Sequence, residues 1–385
     1  MDKIAGTKSA LTWAVHISVA LLVFLWVFPT MGLFISSFRT ADQISASGWW
    51  KSLFPTEQTV QLRTGGANDA VLQDGLYVVE GHILDGADVP STDLDIKSYG
   101  VSSRAVDAFL PGETSEPGEG ETFILNADGT YRFTSVEEPG NRGQRVFVTA
   151  ELPPEFTTDN YQTILFSGSG QDNMRKAFFN TLTVTIPATI IPIVVAAFAA
   201  YALAWMDFPG RALLIAFVVA LLVVPLQLAL IPLLRLHLGI GIGKGYLGVW
   251  LAHTAFGMPL AIYLLRNYMV GLPRDIIENA KVDGATDFQI FTKIILPLSF
   301  PALASFAIFQ FLWTWNDLLV AKVFLIDSTG STTVMTNQIV ELLGTRGGNW
   351  EILATAAFVS IAVPLAVFFA MQRYLVRGLL AGSVK

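Results

Sequence analysis

The sequence contains no cysteine, only four histidines and few charged residues, and each shortage excludes a kind of protein. Without cysteine there is no disulfide framework, no cysteine-bound zinc site and no thiol nucleophile. The histidines form no H-E-x-x-H pattern and no cluster, so we do not expect a metalloenzyme; they are His16, His82, His237 and His253. Charged residues make up 14% of the chain and hydrophobic residues 52%, a balance that predicts a membrane protein.

A phosphate-binding loop is also missing. Gly243, Lys244 and Gly245 begin a G-x-G-x-x-G pattern, but it follows an apolar run instead of the strand that such a motif needs. No glycine lies five residues before Gly243, and no serine or threonine follows Lys244, so a Walker A motif is absent as well. We therefore expect no cofactor in this chain and expect any ATP to be handled by another protein.

Six apolar runs are each long enough to cross a membrane, because about 20 helical residues span a hydrocarbon core of about 30 Å. Backbone groups in hydrocarbon must be hydrogen-bonded within their own segment, so we predict six transmembrane helices. Several runs contain proline, including Pro225 and Pro301, which we expect to be tolerated there. The first run is too long for a signal peptide and is interpreted as an uncleaved anchor. The approximate limits are 11–37, 180–205, 212–234, 247–269, 295–316 and 352–372.

Charge divides the chain into two regions. Residues 39–176 hold 21 of the 31 acidic residues and 10 of the 24 basic ones, which leaves 10 acidic and 14 basic residues elsewhere. This balance gives nucleic-acid binding little support. Lysine and arginine in the short loops lie mainly on one face, so the positive-inside rule predicts cytoplasmic termini and places residues 39–176 outside.

The region 39–176 is too long to be a structureless loop and contains alternating apolar and polar runs typical of strands. These runs lie at 59–62, 77–80, 122–125, 131–133 and 145–148, and residues 126–130 carry a hairpin signal. We predict a small, mainly β domain bounded near 55–155. Two interpretations stay open: a docking surface for another protein, and a stabilising insertion with no binding role.

A charged segment, E-N-A-K-V-D-G-A-T-D-F-Q-I-F-T-K-I-I-L-P, occupies residues 278–297 between the fourth and fifth runs. Pro273 suits a first helical turn, and Asp275 and Glu278 favour it through the helix dipole. Gly284 would cost about 1 kcal/mol inside a helix relative to alanine, so it indicates a bend. We expect a short helix, a tight turn and a second short helix at the membrane surface. The residues alone leave open whether this element binds a partner or is an amphipathic hairpin without one.

This segment resembles the EAA loop of ABC importer permeases, in which E-A-A is followed by three residues, glycine, and an I-x-L-P ending. The chain departs from that pattern at Asn279, where the motif usually has alanine, which puts tight packing there in doubt. It matches the pattern, with the D-G-A extension common in sugar importers, at Glu278, Ala280, Asp283, Gly284, Ala285, Ile294, Leu296 and Pro297. The resemblance implies that this loop docks on an ATPase subunit through Glu278, Asn279, Ala280, Asp283, Gly284 and Ala285.

Other landmarks extend the resemblance to most of the chain outside residues 39–176. They are F-N-T-L at 179–182, A-A-Y-A-L at 199–203, F-P-G-R at 208–211, I-P-L at 231–233, W-N-D at 315–317 and G-L-L-A-G-S-V-K at 378–385. They look like those of the maltose-permease G-type subunit, and the long insertion favours the α-glucoside branch. The implied fold is an all-α polytopic membrane protein, the ABC type I importer permease fold, with an inserted mainly β extracytoplasmic domain between helices 1 and 2.

The implied organisation is an N-terminus with transmembrane helix 1 at 1–38, an extracytoplasmic insertion at 39–176, and a core permease domain at 177–385 with a coupling loop at 271–297. The implied location is a bacterial cytoplasmic membrane. The implied partners are a second homologous permease subunit, two copies of an ABC ATPase that bind ATP and Mg²⁺, an extracytoplasmic sugar-binding protein, and the sugar itself. The chain would then be a transport subunit and no enzyme.

Candidate residues for the substrate path close the fifth apolar run: Trp315, Asn316 and Asp317. Aromatic rings stack on sugar faces and Asn or Asp bonds to hydroxyls, but the same residues also suit an interfacial aromatic belt with a polar end. Because a carboxylate deep in lipid costs at least about 2.5 kcal/mol, we expect Asp317 to face water, a pore or Lys322.

Three alternatives remain at this point. One is the permease of an importer for a different solute, such as glycerol phosphate. Another is a secondary transporter, although the predicted spans 2, 3 and 6 have no ionisable residue in their middles to couple an ion. The third is a membrane-anchored receptor or enzyme that works through residues 39–176, where no catalytic pattern is visible.

Overall fold

The computed structural model describes residues 10–85, 95–166 and 173–381. The chain divides into two compact units, Met1–Asn160 with Asn349–Thr355, and Tyr161–Gly348 with Ala356–Lys385. The first unit contains helices and all the described strands, and the second is helical throughout its described part. Each unit has its own apolar core.

The first unit begins with a long helix, α1 (Ala10–Ser36), and a short one, α2 (Ala41–Ala46). Eight strands follow among its described residues: β1 (Thr56–Arg63), β2 (Val71–Gln73), β3 (Leu76–His82), β4 (Asp95–Gly100), β5 (Thr114–Ser115), β6 (Glu121–Leu125), β7 (Thr130–Ser135) and β8 (Arg145–Leu152). They form two antiparallel sheets, ordered β1-β8-β4 and β2-β3-β7-β6-β5.

The two sheets share one core. Val148 of the three-stranded sheet and Phe133 of the five-stranded sheet belong to the same buried cluster. Tyr99 and Phe123 meet in it edge to face, with ring centroids 5.5 Å apart. The Tyr99 hydroxyl donates to the backbone oxygens of Glu113 and Phe123, and burial raises the pKa of this hydroxyl, so it stays a donor at neutral pH. A buried aromatic centre therefore holds the sheets together.

The predicted hairpin is confirmed by the pairing of β6 with β7. Asn126 N–H donates to Thr130 O at 2.8 Å, and Gly129 has a φ of +83°, a conformation that suits glycine. A second hairpin joins β2 to β3 through Asp74 and Gly75, both with positive φ. That D-G pair is also a sequence signal for a two-residue turn, which the sequence reasoning overlooked.

The second unit is built from helices joined by short connections. Their bounds, with α3 and α14 shared between the units, are α3 (Asp159–Leu165), α4 (Met174–Trp205), α5 (Arg211–Leu221), α6 (Leu226–Gly239), α7 (Tyr246–Val270), α8 (Arg274–Val282), α9 (Asp287–Ile290), a π-helical turn (Phe291–Ile295), α10 (Leu296–Leu298), α11 (Phe300–Trp315), α12 (Leu319–Phe324), α13 (Met335–Thr345) and α14 (Trp350–Ala381).

Four of the described helices are long and apolar enough to cross a membrane, and two bent helix pairs bring the number to six if each pair is one span. The four are Leu11–Ser36, Met174–Trp205, Tyr246–Val270 and Trp350–Tyr374. The apolar runs at 212–234 and 295–316 are not single continuous helices. In their place α5 and α6 meet at 109°, and the segment Asp287–Leu298 meets α11 at 70°.

Proline explains both bends. Pro225 has extended backbone (ψ 125°) and disfavours helical geometry at the preceding Val224, so α5 stops before it and α6 starts after it. At the second bend, Pro301 has no N–H to donate to the carbonyl of Pro297, which would be its partner in a continuous helix. Proline therefore accounts for a bend in each of these two apolar runs.

Small residues line the packing of α4 against α7. Ala188, Ala196 and Ala200 of α4 and Ala252 and Ala261 of α7 are fully buried. Small side chains let helix backbones approach closely, which is the usual way in which helices associate in lipid. The helices α4 and α7 therefore form the central pair on which the second unit is assembled.

The β core yields a test of the first unit. We expect Phe123→Ala, which empties the aromatic centre, to destabilise the β domain by about 3–5 kcal/mol. Limited proteolysis of the full chain should then cleave residues 95–152 faster, because cleavage follows the population of the opened state. Leu72→Ala, at a mostly exposed position, is the matched control and should leave the rate unchanged. Equal cleavage of the two variants would contradict the assignment of Phe123 to the core.

Candidate functional site

The candidate site is the polar segment between α7 and α11, which begins with α8. Pro273 precedes the helix as its N-cap residue, so the helix starts at Arg274, one residue later than a proline in the first turn would imply. Asp275 lies in the first turn and Lys281 in the last, as the helix dipole favours. Local sequence therefore accounts for where α8 begins, and the charges at its two ends stabilise it.

A glycine turn ends α8. Gly284 has a φ of +79°, which side-chain-bearing residues rarely adopt. Its N–H donates to Lys281 O at 3.0 Å, and the N–H of Ala285 donates to Ala280 O at 3.0 Å. These two bonds form the Schellman arrangement, which satisfies carbonyls that the helix leaves free. The predicted bend at Gly284 is thus confirmed.

A capping box starts the next helix immediately. The N–H of Thr286 donates to Gln289 Oε1 at 2.9 Å, and the N–H of Gln289 donates to Thr286 Oγ1 at 3.3 Å. Because both ends of the turn are hydrogen-bonded, α8 and α9 are held at a defined angle. The order of short helix, tight turn and short helix agrees with the sequence prediction.

The segment is anchored by burial on one side. Ile277 of α8, Ile290 of α9, and Phe291 and Ile295 of the π-helical turn belong to the same core as α4 and α7. In addition, the Tyr201 hydroxyl at the end of α4 donates to Asp287 Oδ1 at 3.3 Å. This segment is therefore packed against the helices that form the bundle and is hydrogen-bonded to α4.

The opposite side is exposed and carries both charge and apolar surface. Glu278, Asn279 and Asp283 are exposed, and no ion pair of these side chains is found among the described residues. Val282 and Phe288 are 85% and 66% exposed. Large apolar side chains presented beside carboxylates on a rigid support are typical of a surface that binds another protein.

The remaining loop residues divide between the two sides. Ala280 and Ala285 are half-buried and pack against the core, so the small residues of the motif lie where space is restricted. Helical spacing alone would place Ile276 beside Ile277, and Phe288 beside Phe291 and Ile295, but both Ile276 and Phe288 are exposed. Asn279, the departure from the motif, lies on the exposed side, where no tight packing is required.

Sequence reasoning missed the π-helical turn that links this segment to the bundle. The N–H of Leu296 donates to Phe291 O, five residues back instead of four. Pro297 follows and has no N–H for the carbonyl of Lys293, so a regular helix cannot continue through it. Insertions of this kind occur often at functional sites, and the proline is the sequence signal that could have indicated it.

Trp315, the aromatic candidate for the substrate path, is a packing residue in this structure. It is buried, and its Nε1 donates to Ser360 O at 2.9 Å. Phe311 stacks on its ring at 5.6 Å, and Phe178 meets the ring at 5.9 Å. A sugar has no free face to stack on, so Trp315 does not enter the proposed path.

Asp317 is held by the start of α12. Its carboxylate accepts from the N–H groups of Val320 (3.2 Å) and Ala321 (2.9 Å), and its backbone oxygen accepts from Thr336 Oγ1 at 2.7 Å. His253 Nε2, buried in α7, lies 3.7 Å from the carboxylate. In this structure the Asp317 carboxylate is mostly enclosed, and its contacts are backbone donors and His253 instead of Lys322.

Asn316 is exposed at the end of α11, where its Nδ2 donates to Leu312 O at 2.8 Å. Of the three path candidates it is the most exposed. Trp313, one turn earlier, is also largely exposed, in keeping with an interfacial aromatic residue.

A buried amide was also missed. Gln310 Nε2 of α11 donates to Ala188 O of α4 at 3.1 Å, inside the bundle. The Gln310 side chain lies against Gly257 of α7, where a Cβ would lie 2.5 Å from Gln310 Oε1. A glycine in the middle of α7 is the sequence signal that could have indicated a close contact with a neighbouring helix.

Comparison with known proteins gives consistent matches. A family model described as "Binding-protein-dependent transport system inner membrane component" matches residues 178–380. The alpha-glucoside transport system permease protein AglG of Rhizobium meliloti is 58% identical over 384 residues, 98% of each chain. The osmoprotective compounds uptake permease protein GgtD of Synechocystis is 58% identical over 60% of this chain and 76% of its own. The trehalose transport system permease protein SugB of Mycobacterium tuberculosis is 35% identical over 61% and 84%.

The turn at Gly284 yields a test. Gly284→Ala places a Cβ in left-handed backbone, and we expect a strain of about 1–2 kcal/mol that loosens the end of α8. Hydrogen exchange followed by mass spectrometry should show faster exchange of the amides of Asp283, Gly284 and Ala285. Gly344→Ala, which meets open space near the end of α13 without positive φ, should not change exchange there. An unchanged rate in Gly284→Ala would show that the turn does not depend on glycine.

Proposed function

Because this chain belongs to the family of binding-protein-dependent transport system inner membrane components, we propose that it is the permease subunit through which an ATP-driven importer carries a sugar. The family inferred from the E-N-A-K-V-D-G-A segment is thereby confirmed. The family match ends at residue 380 and begins at residue 178, so it includes the whole candidate site. One observation carries the mechanism: a rigid loop that is buried on one side and exposed on the other.

The exposed side of that loop is the proposed contact with an ATPase subunit. Glu278 and Asp283 supply negative charge, while Val282 and Phe288 supply apolar area that a groove in the partner would cover. Asn279 lies on the same side, and Gly284, Ala280 and Ala285 shape the turn that presents it. The ATPases, two copies in this proposal, bind ATP and Mg²⁺, since this chain has no phosphate-binding loop.

The buried side of the loop is proposed to transmit the motion of the ATPases to the helix bundle. When the ATPases close on ATP, the loop moves with them, and Ile277, Phe291 and Ile295 carry the motion into the core that they share with α4 and α7. The Tyr201–Asp287 hydrogen bond also links the loop to the end of α4, so it would transmit the same motion. A second homologous permease completes the pathway, and the bundle opens outward to accept sugar from an external binding protein.

The proposed substrate class is α-glucosides. The relatives reported above are named for α-glucosides, osmoprotective compounds and trehalose. The α-glucoside relative aligns over 98% of this chain, a length that has to include most of residues 39–176. Along the path, we assign Asn316 to the binding of sugar hydroxyls. Asp317, the next residue, and His253 lie close together and would hold the end of α11 in place.

The proposed orientation has both termini in the cytoplasm and residues 39–176 on the outer face. The coupling loop then lies on the cytoplasmic side, where ATP is available. The basic residues of the short loops support this orientation. The β domain would be free to meet the binding protein, which is its proposed role.

Reconstitution with the partner subunits tests the coupling role. Glu278→Lys removes a charge-assisted contact and adds repulsion, so we expect at least about a tenfold loss of sugar-stimulated ATP hydrolysis and uptake. Glu116→Lys, at an exposed loop of the first unit, makes the same charge change and should retain both.

The same preparation tests the substrate class, since uptake of maltose, sucrose and trehalose is compared with uptake of glycerol phosphate. Full activity of Glu278→Lys would contradict the coupling assignment, and uptake of glycerol phosphate alone would contradict the substrate class.

The absence of cysteine makes the orientation directly testable. A membrane-impermeant maleimide added to spheroplasts, whose cytoplasmic membrane is intact, should label Glu116→Cys. It should label Asp207→Cys, in the exposed α4–α5 connection, only after permeabilisation. The parent chain, without cysteine, gives the background. Labelling of Asp207→Cys before permeabilisation would contradict the proposed orientation.

A further inference from the structure

The chain reverses after α1 and returns along it. We name residues 49–54 the return segment. The Trp49 ring lies 4.6 Å from the Phe28 ring and covers Gly32, where a Cβ would come within 2.7 Å of Trp49 Nε1. Trp50 stacks over Phe28 at 6.5 Å. Phe28 and Gly32 lie about 12 and about 6 Å before the end of α1 at Ser36, so the return segment overlaps its last turns.

Hydrogen bonds hold the reversal in place. The buried Arg39 guanidinium donates to Gln43 O at 2.5 Å, to Ser47 O at 3.0 Å and to Ser47 Oγ at 2.7 Å, which ties the start of α2 to its end. Asn160 Nδ2 donates to the carbonyls of Ser37 and Arg39, both at 3.0 Å. The return segment is thus directed back along α1 by a fixed corner.

The outer side of the return segment is apolar and uncovered in this chain. Trp50 and Phe54 are 62% and 65% exposed, and Leu53 is exposed as well. Their surface continues that of α1, whose side chains are almost all exposed and whose length and composition suit a membrane span. A surface that lies beside the last turns of a membrane helix lies in the same medium as those turns.

The residue types also match one environment. Tryptophan concentrates at membrane interfaces because its ring is apolar and its N–H is polar. Lys51, between the tryptophans and Leu53, is exposed and has a stem long enough to bring its ammonium to lipid phosphates. Aromatic, aliphatic and cationic side chains occur here in six consecutive residues.

We propose that the return segment inserts into the lipid interface of the leaflet at the C-terminal end of α1 and binds phospholipid there. Trp50, Leu53 and Phe54 contact acyl chains and Lys51 contacts phosphate. This segment belongs to residues 39–176, so the region that looks soluble by charge begins with a membrane-bound anchor. The anchor fixes the depth of α1 and the point from which the β domain leaves the membrane.

Site-directed spin labelling tests this proposal without removal of native cysteines, since there are none. Trp50→Cys and Phe54→Cys are labelled in the full chain, assembled with its partners in vesicles of phosphatidylcholine and phosphatidylglycerol. Collision with oxygen, which concentrates in lipid, is compared with collision with a water-soluble nickel chelate. Leu72→Cys on β2 is the matched control, because Leu72 is 63% exposed and also apolar. Trp26→Cys in the middle of α1 gives the value for hydrocarbon.

Labels at 50 and 54 should favour oxygen, between the values of Trp26→Cys and Leu72→Cys, while Leu72→Cys should favour the nickel chelate. Readings at 50 and 54 equal to that of Leu72→Cys would show that the return segment faces water, and would overturn the proposal. Exclusion of both reagents would overturn it in favour of a covering protein or second copy. Should these variants fail to assemble, Lys51→Cys, which keeps both tryptophans, decides between the same outcomes.

Discussion

Burial of the apolar side chains of the loop between α7 and α11 in the α4–α7 core is the interaction on which the rest of the second unit depends. A helix of nine residues such as α8 is not stable alone in water, because nucleation is costly and few hydrogen bonds follow it. Ile277 and Phe291 supply what the short helices lack by packing into the bundle. The same contacts join this polar connection to the bundle, so the stability of the loop and its proposed coupling role have one physical origin.

The hydrocarbon sets the second constraint, because every backbone group in it needs a partner within the protein. Pro225 and Pro301 each remove a donor, and the helices break at them and resume at an angle. Such breaks leave short segments whose ends are satisfied locally, as in the π-helical turn before Pro297. Bends of this kind suit the change of shape that the proposed transport cycle requires.

Several features could be read from residues that are close in sequence. The turn at Gly284, the hairpin at residues 126–130 and the strands of the β domain follow from local rules, since glycine, turn residues and alternation act within a few positions. Ile276 and Phe288 show the limit of the same rules. Helical spacing alone would place both on apolar faces, but spacing does not say which apolar residues reach the core.

By itself the sequence determined the family, the polar loop with its turn, and the apolar runs, because motifs and hydrophobic length are properties of neighbouring residues. Tertiary structure alone decided that Trp315 is enclosed by Phe311 and Phe178, that Asp317 meets His253 across 64 residues of chain, and that Trp49 returns to Phe28. These are contacts between distant segments. They depend on how helices pack and where prolines bend them, and no local pattern specifies that.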